Sequence, residues 1–292
     1  MDRALTSTPP LFSSVDDVVD KLATTGYLAD KATATSVFLA DRLAKPLLVE
    51  GPAGVGKTEL AHAVAAATGS GLVRLQCYEG VDEARALYEW NHAKQLLRIQ
   101  AGSGDWDSTR EDVFSEEFLL TRPLLTAIRR AEPTVLLIDE TDKADVEIEG
   151  LLLEVLSDFA VTVPELGTIV ATRTPFVLLT SNATRELSEA LKRRCLFLHL
   201  DFPDAALELA ILASRVPDLP EALAEQLVRT MRVLRGMQLK KLPSVAETID
   251  WGRTLLALGI DTLDDTAVRA TLGVVLKHQS DQLRAAGELR LN

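Results

Sequence analysis

The stretch "LLVEGPAGVGKTEL", residues 47–60, runs from an apolar strand through a glycine-rich turn into a helix that opens on Lys57-Thr58. Gly51, Pro52, Ala53, Gly54, Val55, Gly56, Lys57 and Thr58 together satisfy the pattern GxxxxGK[ST]. The chemistry follows from the residue types. Glycines let backbone N–H groups turn inward around phosphates, and a helix starting at Lys57 adds the positive end of its dipole. Lys57 is expected to reach the β- and γ-phosphates of ATP, and the Thr58 hydroxyl to coordinate Mg2+.

Such a loop needs a carboxylate site at the end of a neighbouring strand. "VLLIDE", residues 135–140, supplies one. Asp139 can hold Mg2+ through water, and Glu140 beside it can polarise an attacking water as a general base.

Apolar runs, these two among them, fall at 46–50, 72–76, 134–139, 176–180 and 196–200 and alternate with helical stretches. That alternation predicts an α/β fold, a five-stranded parallel sheet flanked by helices on both faces. Ser14 and Asp17 form a capping-box pattern that opens a short first helix, closed by Gly26, and a second helix runs from about Asp30 to Leu43. "FAVTVPELGTIVATRT" reads as two alternating segments around a Pro164–Gly167 turn, a β-hairpin inserted before the strand at 176–180. From Phe202-Pro203 onward the strand signals stop. Helical periodicity takes over near 204–215, 220–236, 244–258 and 265–285, so the expected domains are an α/β nucleotide-binding domain at 1–202 and a helical lid at 203–292. The most loop-like segment is "AGSGDWDSTREDVF", 101–114.

Composition narrows the function. With 31 basic and 43 acidic residues the formal net charge is −12, and the basic residues fall in short clusters. An acidic surface repels phosphate backbones, which disfavours nucleic acid as a partner. No apolar run approaches the roughly 18 residues of a membrane span, and the N-terminus has no signal-peptide core, so a cytoplasmic location is expected. Cys77 and Cys195 lack any CxxC spacing and read as reduced thiols, with Cys77 a small core residue. The four histidines, His62, His92, His199 and His278, show no i, i+3 or i+4 pairing that would make a metal site. Tyr88, Trp90 and Trp106 fit helix packing or contact with a client.

At this point the chain resembles AAA+ ATPases. The strand ending in "LLTSN" places Asn182 where that family keeps its sensor-1 residue, which positions the attacking water. "ALKRRCLF" resembles the arginine-finger segment, which implies Arg194, with Arg193 as the alternative, as a group projecting into a neighbouring subunit's site. The hairpin, and the long stretch between the second strand and "VLLIDE", resemble the helix-2-insert group and within it the MoxR family. The phrases "LLEVLSDFAVTVPELGT", "LTSNATRELSEALKRRC" and "PSVAETIDW" are similar to CoxD-type members. The resemblance implies a homo-oligomeric ring, a hexamer, that remodels a protein client. It implies a molybdenum hydroxylase apoprotein such as that of carbon monoxide dehydrogenase as the client, with a von Willebrand factor A domain protein as candidate companion. A nucleic-acid motor is the runner-up, and a small-molecule P-loop kinase is third. In one respect the chain departs from the family: "LPSVAETIDWGR" offers no sensor-2 arginine until Arg253, almost two helical turns late.

Overall fold

The computed structural model describes residues 9–101 and 112–289. Residues 102–111 of the loop-like segment, Trp106 among them, lie outside the described residues. Along the chain run α1 (Val15–Thr24), α2 (Lys31–Leu43), β1 (Leu47–Glu50), α3 (Lys57–Thr68), β2 (Gly71–Gln76), α4 (Glu83–Ala86), β3 (Tyr88–Trp90), α5 (His92–Ala101), β4 (Leu119–Thr121), α6 (Pro123–Arg129), β5 (Thr134–Asp139), α7 (Val146–Asp158), β6 (Ala160–Val163), β7 (Gly167–Val170), β8 (Phe176–Ser181), α8 (Glu189–Arg194) and β9 (Leu196–His199). Helices α9 (Ala205–Arg215), α10 (Glu221–Arg235), α11 (Val245–Ala257), α12 (Asp265–Val275) and α13 (Gln279–Glu288) follow.

The chain divides into two compact units. One gathers Met1–Lys21, Asp30–Glu50 and Thr58–His199; the other gathers Leu22–Ala29, Gly51–Lys57 and Leu200–Asn292. In the first, five parallel strands lie in the order β2-β5-β8-β1-β9. The central strands β5 and β8 are buried along their whole length, which is why their sequences are continuous apolar runs rather than alternating ones. Edge strand β2 carries polar residues because part of it meets solvent. The order places β8 between β1 and β5, so the carboxyl ends of three neighbouring strands, where Glu50, Ser181 and Asp139 stand, converge at one edge of the sheet.

The inserted hairpin forms as its sequence predicts. β6 and β7 pair from Ala160↔Val170 to Val163↔Gly167, and Gly167 takes the positive φ of +80° that closes the turn. Val161 and Val163 are buried in the same core cluster as Leu152 and Val155 of α7, while β7 stays largely exposed. In the long stretch before β5, β3 and β4 make a short antiparallel ribbon, with α5 between them in the chain and Tyr88, Trp90 and Phe114 packed edge to face. These aromatics are packing residues of the ribbon.

The second unit is helical around a core of Leu223, Leu227, Met231, Leu234, Trp251 and Leu272. Trp251 is fully buried and its indole N–H donates to Thr271 Oγ1 at 2.7 Å, which satisfies its one polar atom. Ser244 and Glu247 form a reciprocal capping box at the start of α11.

One expectation fails here. The helix predicted over 265–285 is two helices, α12 and α13. The chain leaves helical geometry at Leu276 (φ −109°, ψ 111°), whose side chain is buried and whose carbonyl accepts from Gln282. The break turns Asp281 inward, where its carboxylate accepts the backbone N–H groups of Lys240 and Lys241. Tertiary hydrogen bonds to a buried carboxylate override a helical period that the sequence carries without interruption.

Candidate nucleotide site

The glycine loop belongs to the second unit. Gly51 has φ +155°, and a Cβ there would lie 1.9 Å from the carbonyl oxygen of Leu200. Gly54 has φ +78°, and a Cβ would lie 2.2 Å from Cβ of Ser244. Both positions therefore demand glycine for backbone approach as well as for conformation. Val245 N–H donates to Gly54 O at 3.2 Å, so the first turn of α11 is pinned to the loop. Pro52, Ala53, Val55 and Gly56 complete the turn, and α3 starts at Lys57. Lys57 is buried, with its ammonium donating to Gly51 O and Pro52 O at 2.7 Å each. A cation held this way brings its charge to the concave side of a loop rich in backbone amides.

In the first unit, Asp139 ends β5 with its side chain almost wholly buried. Its Oδ1 accepts the hydroxyl of Thr180 at 2.6 Å and that of Thr58 at 3.0 Å. Its Oδ2 takes the guanidinium of Arg74, from the neighbouring strand β2. Thr180 is available because β8 lies beside β5, and it also accepts the Glu140 N–H at 2.8 Å. Glu140 adopts the left-handed conformation (φ 56°, ψ 48°), a region that costs a side-chain-bearing residue about 1–2 kcal/mol. That kink turns the Glu140 carboxylate away from the strand, to meet Gln76 Nε2 and Lys143 Nζ, each at 3.1 Å. Thr58 Oγ1 and Asp139 are hard oxygen donors next to each other, a donor set that fits Mg2+, which keeps waters and phosphates as its other ligands.

Asn182 follows β8 directly, in a turn where Ala183 has φ 56°. Asp142 anchors that turn: its Oδ2 accepts both the backbone N–H and the hydroxyl of Thr184. Burial raises the Asp142 carboxyl pKa, but the hydrogen bonds from Thr184 and from backbone N–H groups outweigh it and hold the group below the ordinary aspartate value. The next step along the chain is fixed in the same manner. Buried Glu149 of α7 takes the guanidinium of Arg185 and the backbone N–H of Ser188, the residue that caps α8. Arg193 and Arg194 end α8, both exposed. Arg194 donates to Ser157 Oγ at 2.6 Å and to Ala190 O, whereas the Arg193 side chain has no hydrogen bond or ion pair among the described residues.

Residues 46–195 match the family of the AAA domain, dynein-related subfamily, about half of the chain. The chain belongs to that AAA family. It is an ATPase of the α/β P-loop type, and it binds ATP. An uncharacterized protein of Staphylococcus haemolyticus is similar along most of both chains, 25% identical over 262 residues that cover 86% of this one and 91% of the other. The chaperone ClpB 2 of Thermosynechococcus vestitus is 34% identical over 143 residues, 48% of this chain, and a ClpB 1 of Synechocystis is 33% identical over 138. This AAA chain spans only 14% and 13% of those two chaperones. A solved RuvB variant of Thermotoga maritima aligns with 98% of this chain and 74% of its own, at 18% identity and a TM-score of 0.49.

Several residues of this AAA site escaped motif reading. Arg74, Gln76, Thr180 and Asp142 reach it through strand register and turn geometry. Arg74 and Gln76 could have been suspected as polar residues at i and i+2 in an otherwise apolar strand. Arg253 is exposed and pairs loosely with Asp250 at 3.7 Å. The arginine that organises the helical unit is Arg235, which makes a two-pronged pair with fully buried Glu208, donates to Thr248 Oγ1 and stacks 4.6 Å over Phe202. Cys77, the residue after β2, is buried, and its thiol pKa is pushed up to about 12 by burial and then by the charges of Asp139, Asp142 and Glu140. It is a core residue with no thiolate chemistry. Among the described residues no helix is long and apolar enough to cross a membrane.

Proposed function

We propose that this ATPase uses hydrolysis to remodel a protein client, and that the client is the apoprotein of a molybdenum hydroxylase whose metal centre it helps to complete. In this reading Gly51–Gly56 and Lys57 hold the phosphates of ATP, and Thr58 and Asp139 hold Mg2+. When bound, the ion would withdraw charge from the β- and γ-phosphates. Glu140 takes a proton from the attacking water, aimed by the kink at its own Cα. Asn182 holds that water from the turn that Asp142 anchors. Arg194 or Arg193 acts in trans on the next subunit of a ring, taken to be a hexamer.

The observation that carries the mechanical reading is the placement of the hairpin. α7 follows the Asp139-Glu140 turn and runs into β6, and β7 returns into β8, which ends at Ser181 just before Asn182. The hairpin is therefore bracketed in the chain by the groups that act on the γ-phosphate. Any change at those groups has a direct covalent route to it. β7 is exposed, with Val170 prominent, and α5 exposes Leu96, Leu97 and Ile99, apolar surface suited to a polypeptide client. The similarity to Clp chaperones over the AAA portion agrees with this reading, as does the resemblance to CoxD-type MoxR proteins, which alone suggests the hydroxylase. A von Willebrand factor A domain protein is a candidate companion. The charge of −12 weighs against the nucleic-acid motor.

The test is capture. ATP-loaded Glu140→Gln should retain a hydroxylase apoprotein from a lysate of a host that makes one. A host lacking the ATPase should make hydroxylase with an incomplete, inactive centre. Fully active hydroxylase from that host, or recovery of nucleic acid in place of protein, would sink the assignment.

A further inference from the structure

Asp139 is a buried carboxylate that already carries a cation. β2 pairs with β5 in the register Arg74↔Leu137 and Gln76↔Asp139, so Arg74 and Gln76 stand on the same face as Asp139. The Arg74 guanidinium bonds both Asp139 Oδ2 and Gln76 Oε1. Oδ1 is occupied by the hydroxyls of Thr58 and Thr180. The pair is unequal in its access to water: the Asp139 side chain is 4% exposed and that of Arg74 is 48%. The carboxylate cannot leave, because leaving would uncover a buried charge, but the arginine head can return to solvent on its long stem.

We propose that Arg74 is the resident counter-ion of the metal site. It neutralises Asp139 while no divalent ion is bound, and it withdraws toward solvent as the ion loads, so that metal binding is an exchange of one cation for another. The physical requirement is plain: a guanidinium and a dication on one carboxylate repel each other at short range through a medium of low effective dielectric. Exchange keeps the buried carboxylate compensated in both states, and it sets metal affinity below that of the bare Thr58-Asp139 pair. This inference rests on the reading of Thr58 and Asp139 as the metal-holding groups.

The experiment is Mn2+ titration of the full-length protein followed by electron paramagnetic resonance, with ADP present, in wild type, Arg74→Met, Arg74→Lys and Asp139→Asn. Removal of the competing charge in Arg74→Met should tighten Mn2+ binding about tenfold. Arg74→Lys, which keeps the charge, should stay within about threefold of wild type. Asp139→Asn should weaken binding at least about tenfold. Unchanged or weaker binding in Arg74→Met, with Asp139→Asn impaired, would overturn the counter-ion inference alone and mark Arg74 as a residue that positions the carboxylate. Unchanged binding in Asp139→Asn would overturn the metal-site reading and the inference with it. Should Arg74→Met fail to fold, the guanidinium 15N signals of the wild type, assigned by their loss in Arg74→Lys, give the answer. Arg74 should show hindered rotation in metal-free protein and free rotation with Mg2+ and ADP, and rotation unchanged by metal would overturn the proposal.

Discussion

Lys57 and Asp142 show how differently single residues announce themselves. Lys57 is named by its motif, and the structure gives it a buried ammonium on two carbonyls of the glycine loop. Lys57→Ala should therefore abolish ATP binding by calorimetry, since it removes the charge from a cradle of neutral amides. Wild-type affinity in that variant would mean that the loop holds no phosphates. Asp142 carries no motif signal because its partners, Thr184 and the Asn182 turn, are some forty residues away and arrive only when β8 docks beside β5. Its effect is legible in pH. A carboxyl held below its ordinary value contributes stability that is fully present above the unfolded pKa of roughly 3.9 and is lost as pH falls through the lower folded value. The melting-temperature gap between wild type and Asp142→Asn should thus be widest above about pH 4 and narrow in more acid solution. A gap independent of pH would show that the charge contributes nothing.

Elements were readable from the sequence where one physical cause dominates. β5 and β8 are apolar throughout because both of their faces are covered, and the hairpin is given away by alternation around Pro164 and a glycine at positive φ. The division of α12 from α13 was hidden, because the reason for it is the hold of Asp281 on Lys240 and Lys241 rather than any helix breaker nearby. The same logic governs Arg235, whose importance lies in its buried partner Glu208. Arg235→Ala strands that carboxylate, and should destabilise the helical unit by about 3–5 kcal/mol in chemical denaturation. Arg253→Ala, on the exposed face of α11, should change stability by no more than about 0.5 kcal/mol. Equal effects from the two would contradict this placement. Deletion of Pro164–Gly167 should leave basal ATPase largely intact, since the turn lies on the far end of the hairpin from Glu140 in the chain, yet should abolish client capture. Capture at wild-type yield would remove the hairpin from the mechanism.

At the scale of the whole molecule, a site shared between subunits predicts complementation. Arg194→Ala and Arg193→Ala should each be compared for hydrolysis at unchanged nucleotide affinity, and the one that fails should recover part of its activity when mixed with Lys57→Ala. Mixed rings without recovery, with co-assembly demonstrated, would mean that the ATP site is complete in one chain. Whatever the ring and the client, the proposed mechanism makes the kinked Glu140, between Asp139 and the Asn182 turn, the base that fires hydrolysis. Single-turnover quench of γ-labelled ATP bound to Glu140→Gln tests it most directly. ATP should bind with near wild-type affinity and be hydrolysed at least about a hundredfold more slowly, a loss of about 2.7 kcal/mol of transition-state stabilisation. Hydrolysis at the wild-type rate would contradict it.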